Sequence, residues 1–472
     1  MSYESISGPN ALGVATSHNW LSSVAVYNIL KPVIDPNITR RWGNQDITGM
    51  FDMIAGGKNP VAALEYRHYE EDRLHAVVSL DADVVAASTF TYTANTASVY
   101  ANFPTSAYSP YLATGSQVDL VPVRVGDTVI FPNDARGTVS AVAGDQITIT
   151  NDGTGNLPSA AQDDELIILG VTNGEEGSSP TSLNNSLTVY SNVMQIMADA
   201  YKTSGSAMGE QVWVKDPATG KNLWYFKGQA DTKKRFENDR EVNLVAGKKL
   251  AAASATVAAD STKLKTEGLF TFAAAYGNTQ NYNIIPGLTK DDFDTLVIDM
   301  LDKNAGAVEN TIWSSIKLRQ GINNFISPEM KNGGVQYGAF KGGEKQYVNF
   351  DFESFTTLGY TFHAKTYQLL NNPTLLGAAG HSYENFGVLV PLSQDMYRVG
   401  EMKEKVTVPS VRMNYVSQTP AGGSYSRDME EWLTGGANGV YTDTTDRMQI
   451  NFRSHFGFEG FGANRFAIFE GV

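Results

Sequence analysis

The chain contains no cysteine. Disulfides and thiolate metal centres are therefore excluded, and stability must come from packed apolar surface and backbone hydrogen bonds. No apolar run reaches the roughly 18 residues that a membrane-spanning helix requires. The opening Met-Ser-Tyr-Glu-Ser-Ile-Ser lacks the basic region and apolar core of a secretory signal. Charge is sparse: Asp, Glu, Lys and Arg make up 18 %, below the ordinary quarter or so. The balance is acidic, with a net charge of -14, which argues against a groove that grips nucleic acid. Histidine is scarce too, at positions 18, 68, 75, 363, 381 and 455 only, and no His-Glu-x-x-His pair occurs. A Gly-x-Ser-x-Gly elbow and a phosphate-binding loop are equally missing. These absences remove most enzyme classes. A carboxylate-based glycoside hydrolase needs only two acids and stays as a third reading, with no pair singled out. No cofactor is implied.

What is present is glycine, 44 residues of it, with 22 each of Tyr and Phe, and a polar surface of Asn, Thr, Ser and Gln. That mixture describes a folded, turn-rich protein and not a disordered one. A chain of 472 residues is long for one core, so two or three packed units are expected.

The stretch from Thr188 to Gly247 organises the rest. Val189, Val193, Ile196, Met197, Ala200 and Tyr201 fall at helical spacing and predict an amphipathic helix. Thr203-Ser204-Gly205 breaks it, and an aromatic connection with Trp213, Trp224, Tyr225 and Phe226 follows. A polar helix is then expected over Asp231–Val245, with Asp231 capping its start and Gly247 just past its end. Its apolar residues are few, chiefly Phe236, Val242, Leu244 and Val245, so it suits either a solvated surface or a helix lying along neighbouring subunits.

Along the chain, residues 1–60 suit an anchoring arm, with a short helix over Trp20–Leu30 and another over Asp46–Ile54. Residues 64–80 carry Glu65, His68, Glu70, Glu71, Asp72 and His75, a set that invites a metal or carboxylate site. Arg67 and Arg73 sit among these acids and can neutralise them, so a solvated or intersubunit salt-bridge strip is the better reading. Residues 120–170 predict a β-rich insertion module. Its clearest hairpin alternates through Val139 and Ala141, turns at Ala143-Gly144-Asp145, and returns through Ile147 and Ile149. Val125-Gly126-Asp127 opens the preceding strand and Glu165–Leu169 gives another. Asn151-Asp152-Gly153 is oxygen-rich but lacks the closing Glu of a calcium loop, so it reads as a turn. Residues 171–185 are a linker.

Downstream, Thr289 can cap a helix opened by Asp291 and Asp292, with Phe293, Leu296, Val297, Met300 and Leu301 inward and Asn304-Ala305-Gly306 as its end. A second helix is expected over Val308–Arg319. Strands are expected at Tyr347–Phe352, Thr361–Leu369, Phe386–Leu392 and Val406–Tyr415. His363 sits in one of them and reads as structural, and His381 lies in a turn. The aromatic and glycine alternation from Arg447 to the last residues predicts that this end is built into a sheet. Paired helices beside strands make the class α+β.

Texture and order of parts carry a resemblance. Val123–Gly170, with its Val-Gly-Asp opening, resembles the β insert of one branch of tailed-phage major capsid proteins with the Hong Kong 97-type fold. So do Asn173-Gly-Glu-Glu-Gly, Tyr190-Ser-Asn-Val-Met-Gln-Ile-Met and Thr203-Ser-Gly-Ser-Ala. The arm and Gly460-Phe-Gly-Ala-Asn-Arg-Phe-Ala-Ile are similar to capsid proteins of Bacteroidota-infecting phages, including the crAss-like group. The resemblance implies an N-terminal arm (1–60), an extended loop (61–119), the insert (120–170), a linker (171–185), a spine helix and peripheral domain (186–285), an axial domain (286–445) and C-terminal strands of the shell domain (446–472). It implies a structural protein of the virion, not an enzyme, assembled in the host bacterial cytoplasm. Copies would form pentamers and hexamers of an icosahedral shell, with portal, scaffolding and auxiliary or decoration proteins as partners. The shell would enclose double-stranded DNA without reading its sequence and without a membrane. Intersubunit contacts are then expected at Arg67, Glu70, Glu71 and Arg73 of the acidic strip and at Arg235, Glu237 and Arg240 of the charged helix. Another β-rich phage structural protein, or a surface-layer or adhesin protein, is the alternative.

Overall fold

The computed structural model describes residues 49–50, 58–71, 77–93, 123–181, 187–209, 223–332, 340–347, 353–378, 382–397, 405–418, 425–437 and 441–472, with isolated gaps inside these spans. The arm up to residue 48, with its Trp20–Leu30 helix, lies outside the described residues, as do Asp72, Arg73, His75, Trp213 and His381. The class is mixed α+β. Three six-stranded sheets account for most of the strands, and they are built differently.

The central sheet is gathered around one long strand, Arg447–Gly460. One edge of it pairs antiparallel with Gln195–Ser204 along ten residues, from Arg447 to Phe456. Its other edge is shared by Glu430–Gly435 and then Val411–Gln418. Lys58–Val61 adds a parallel strand beside the last of these. Burial alternates from Arg447 to Arg453 and becomes continuous from Ser454 on, because other elements cover both faces there. Phe458 meets Phe272 edge-to-face at 5.5 Å between ring centres. Two glycines make this close approach feasible. A Cβ on Gly457 would sit 2.6 Å from the Tyr66 hydroxyl, and one on Gly460 would sit 2.7 Å from the Phe272 ring. The glycines of the C-terminal alternation thus leave room for rings from other elements to approach the backbone.

The expected helix over 189–201 is two strands instead, Leu187–Val193 and Gln195–Ser204. Tyr190, Asn192 and Met194 are buried at period two, while Ile196 stays 45 % exposed. The residues fit either period. The decision came from partners far away in the chain, at residues 65–71 and 447–456.

The polar helix is real but longer, Leu223–Ala246, some 36 Å at 1.5 Å per residue. Asp231 therefore lies inside it and not at its start. Gly228, inside the helix, admits the Tyr201 ring, whose hydroxyl a Cβ would meet at 2.6 Å. Nor is the helix wet all round: Phe236, Leu244 and Val245 are buried, and Phe236 lies 6.2 Å from Phe452. Gly247 does follow its last residue, at a spot where a Cβ would strike the Asn243 carbonyl at 2.3 Å.

A second, helix-bordered sheet runs in the spatial order Asn278–Tyr282, Ala467–Gly471, Phe386–Pro391, Glu309–Ser314, Tyr360–Thr366, Ser354–Thr357. The expected Val308–Arg319 helix does not form as one element. Glu309–Ser314 is a strand with five successive buried residues, and the helix begins only at Ile316 and runs to Asn332. A strand covered on both faces shows no alternation, which is why its pattern misleads. The helix before it behaves as expected. Thr289 and Asp292 form a reciprocal capping box, and Phe293, Leu296, Val297 and Leu301 are buried. From Leu296 to Asp302 this helix is wound as a π-helix. Val406–Tyr415 proves to be two strands, Lys405–Pro409 and Val411–Gln418, interrupted at Ser410.

The insert is a sheet of its own. Arg136–Ala143 and Gln146–Asn151 form the expected hairpin, flanked by Asp127–Ile130 and Glu165–Val171. Its two outer strands, Val77–Ser79 and Thr89–Thr93, come from residues before 120. The module therefore starts near residue 77. It encloses a separate core of Val78, Leu80, Val129, Phe131, Val139, Ile147, Ile149, Leu157 and Leu166. Asn151 closes the turn that follows, accepting from Gly153 N–H at 2.9 Å and donating to Gly155 O at 2.9 Å.

Candidate assembly surface

Glu65–Glu71 and Leu187–Val193 pair antiparallel into a two-stranded ribbon, and the insert grows from its far end, where Glu71 faces Leu187. Period two gives the ribbon two faces. Tyr66, His68 and Glu70 turn inward. Glu65, Arg67, Tyr69 and Glu71 turn outward, with Tyr69 62 % exposed. The inward face is fastened to the central sheet by buried hydrogen bonds. The Tyr66 hydroxyl and the Asn192 amide both donate to the Phe458 carbonyl. Asn192 also accepts from Glu267 N–H at 3.0 Å, which draws in the segment before the Leu269–Tyr276 helix.

The sequence places seven residues as contact candidates, and the structure divides them. Arg67 extends along the outer face and donates to Glu65 at 2.8 Å and 3.0 Å. Glu71 is exposed at the ribbon's end. Arg235 is exposed on the long helix and pairs with Asp199 at 2.7 Å. Glu237 is half-buried on the same helix. Glu70 and Arg240 are committed inside the chain instead. The Glu70 carboxylate accepts Gly462 N–H at 2.7 Å and approaches His68 at 3.3 Å. Arg240 reaches Asp428 at 3.2 Å, and Lys58 pairs with the same carboxylate. Asp428 thus joins the long helix to the edge strand of the central sheet.

Several functional placements were not legible in the residues. Glu241, inside the charged helix, is buried and accepts from Met50 N–H and from the Tyr367 hydroxyl, each at 3.1 Å. The desolvated phenol of Tyr367, next to this acid, is held well above its ordinary pKa. Glu459 is buried at the end of the long strand, where Arg412 and Asn414 each donate to it at 2.7 Å. Burial alone would raise its pKa, but His68, Arg412 and Asn414 together pull it down to about 2. Asp127, acidic in sequence, is fully buried and closes its own turn by accepting Arg124 N–H at 2.8 Å.

Among the described residues no group of three or more His, Asp or Glu side chains is arranged to hold a metal ion. No described helix is long and apolar enough to cross a membrane. The buried acids and histidines brace strands against one another.

Comparison with known proteins places the chain. The model of the SU10 major capsid protein family matches residues 42–363, about two thirds of the sequence. That span takes in the ribbon, the insert, the long helix and part of the helix-bordered sheet. Among curated proteins nothing matches. Solved structures similar to this one include Mycobacterium phage Ogopogo, at 8 % identity and a TM-score of 0.42, covering 96 % of this chain and 100 % of that one. Mycobacterium phage Adephagia gives 7 % identity and 0.41, covering 96 % and 97 %. The cyanophage A-1(L) capsid gives 11 % identity and 0.37, covering 64 % and 85 %. None of these matches points to the crAss-like group in particular. The family match decides the assignment: the chain belongs to the SU10 major capsid protein family and is a structural protein of the capsid, not an enzyme.

Proposed function

We propose that copies of this chain assemble into pentamers and hexamers of an icosahedral virion shell around packaged double-stranded DNA. The family match over residues 42–363 carries this reading. The acidic balance suits it, since a genome confined by like charge is not trapped on the wall. Assembly takes place in the host bacterial cytoplasm, with portal, scaffolding and auxiliary or decoration proteins as partners. The long helix serves as the spine, with the peripheral domain about it in 186–285. The helix-bordered sheet serves as the core of the axial domain, expected over 286–445, and draws two further strands, Asn278–Tyr282 and Ala467–Gly471, from outside that range. Subunit contacts run through Arg67, Tyr69 and Glu71 on the ribbon, through Arg73, which follows it in sequence, and through Arg235 and Glu237 on the helix. Glu70 and Arg240 act as internal braces. Membership of the narrower crAss-like group is a separate proposal, which rests on the likeness of the arm and of Gly460–Ile468 alone.

Light scattering across a concentration series, with electron microscopy of the heaviest fraction, tests the assembly reading. Rings or closed shells are expected. A strictly monomeric species, with and without scaffolding protein, overturns it. Arg235→Glu sharpens the contact assignment. The lost pair is exposed and worth under about 1 kcal/mol, so the fold stays intact while assembly falls.

A further inference from the structure

We propose that His68, set between the carboxylates of Glu70 and Glu459, is a protonation-dependent latch that holds the base of the ribbon to the central sheet when charged and loosens it when neutral. The geometry is a three-layer clamp. His68 Nε2 lies 3.3 Å from Glu70 Oε1, and Nδ1 lies 3.3 Å from Glu459 Oε1. The ring is stacked on Tyr190 at 5.4 Å and tilted against Phe461 at 4.7 Å, so it cannot turn away from either acid without breaking both packings. Each acid is itself anchored to a different part of the central sheet. Glu70 holds Gly462 N–H, just past the long strand. Glu459 holds Arg412 and Asn414 of the adjacent strand.

Charge decides the state. Two carboxylates, the Arg412 guanidinium and an imidazolium sum to zero. A neutral ring leaves one uncompensated negative charge in a site where Glu459 is 4 % exposed. A neutral imidazole also carries only one N–H, so in either tautomer a lone pair faces a carboxylate oxygen. The Nε2 atom is buried and poorly aligned with Glu70 for a hydrogen bond, which leaves charge as that contact's main strength. The other titratable or charged groups facing this joint are the phenols of Tyr66, Tyr190 and Tyr276, the Glu267 carboxyl, and Lys249, whose ammonium donates to Ser191 O at 3.3 Å. Burial pushes the Glu267 carboxyl up and the opposite charge of Lys249 opposes that shift.

The direction of the pH effect follows. Burial alone would lower the His68 pKa, but the neighbouring Glu459 and Glu70 outweigh it, and the net shift is upward from 6.5. A raised folded-state value means that the latch contributes fully below the unfolded value of 6.5 and is lost as pH rises through the folded one. Each unit between the two is about tenfold in the opening equilibrium.

The test uses the full chain. Carbon-13 labelled histidine gives the His68 titration by NMR, with His68→Gln identifying its signal. Hydrogen exchange, corrected for intrinsic rates, gives the opening of amides 65–71 and 187–193. The expected result is a His68 midpoint above the ordinary histidine value, with ribbon opening that rises through that same midpoint. In His68→Gln the opening is high and independent of pH. Glu70→Gln keeps an acceptor for Gly462 and removes one charge, so the midpoint must fall while the fold survives. A midpoint at or below the ordinary value overturns the latch. So does wild-type opening that ignores pH across the titration, or a midpoint unmoved by Glu70→Gln. None of these readouts depends on shell formation, so the latch and the assembly reading fail separately.

Discussion

The insert sheet and the central sheet have six strands each, yet they follow opposite logics. The insert takes every strand from residues 77–171 and packs them around its own core. The central sheet takes Lys58–Val61, Gln195–Ser204 and four strands from beyond residue 410, so its long strand is paired on one side with a segment about 250 residues earlier in the chain. The comparison teaches where each region's stability resides. In the insert it is local, and the ribbon's end is a natural splice point, because Glu71 and Leu187 are a cross-strand pair about 5 Å apart. In the central sheet the strands are worthless singly and depend on a core shared with the long helix and the helix-bordered sheet.

The largest effect is expected where all three are joined. Phe456 is fully buried in that shared core, and Phe456→Ala should cost about 3–5 kcal/mol. Calorimetry should show the main transition collapsing while a smaller insert transition stays in place. If both move together, the two regions are one cooperative unit. Ile149→Ala is the converse change. It should cost about 2–5 kcal/mol and lower the insert transition alone. Tyr367→Phe comes next. It deprives the buried Glu241 carboxylate of one donor, at about 1–3 kcal/mol, and should lower the main transition only. The smallest effect is expected from the largest excision. Joining Glu71 to Leu187 through a short Asn-Gly turn, in place of residues 72–186, should leave the main transition near its original midpoint. A deleted chain that no longer folds would make the insert a structural partner of the central sheet. Cutting only 123–169 is a poorer experiment, since it strands Val77–Ser79 and Thr89–Thr93 without their partners.

The same contrast explains what could be read in the residues. Val139, Ile147 and Ile149 find partners within fifteen residues, so alternation and turn chemistry suffice to describe their hairpin. Thr289 and Asp292 cap a helix three residues away, and that too is legible. Val189, Val193, Ile196, Met197, Ala200 and Tyr201 fall at helical spacing, and only strands more than a hundred residues distant make this stretch a sheet. Among the contact candidates, charge marked Glu70 and Arg240 as surface groups. The structure uses both internally, because Gly462 and Asp428 arrive from the other end of the chain. His68 was visible as one member of an acidic strip, while its second acid, Glu459, lies nearly four hundred residues later.

By itself the sequence determined the exclusions and the local elements. Without cysteine, an apolar span or a catalytic motif, the chain was left to packing, and short-range patterns set the insert hairpin, the Thr289 cap and the built-in C-terminal strands. Tertiary structure alone decided that residues 187–204 are strands, that Glu309–Ser314 is a buried strand and not a helix, and that His68 lies between two acids. The physical reason is the range of the forces involved. Caps and turns are settled by neighbours in sequence. Strand pairing and the charge state of a buried group are settled by whatever the fold brings within a few ångströms, and that neighbour is written elsewhere in the chain.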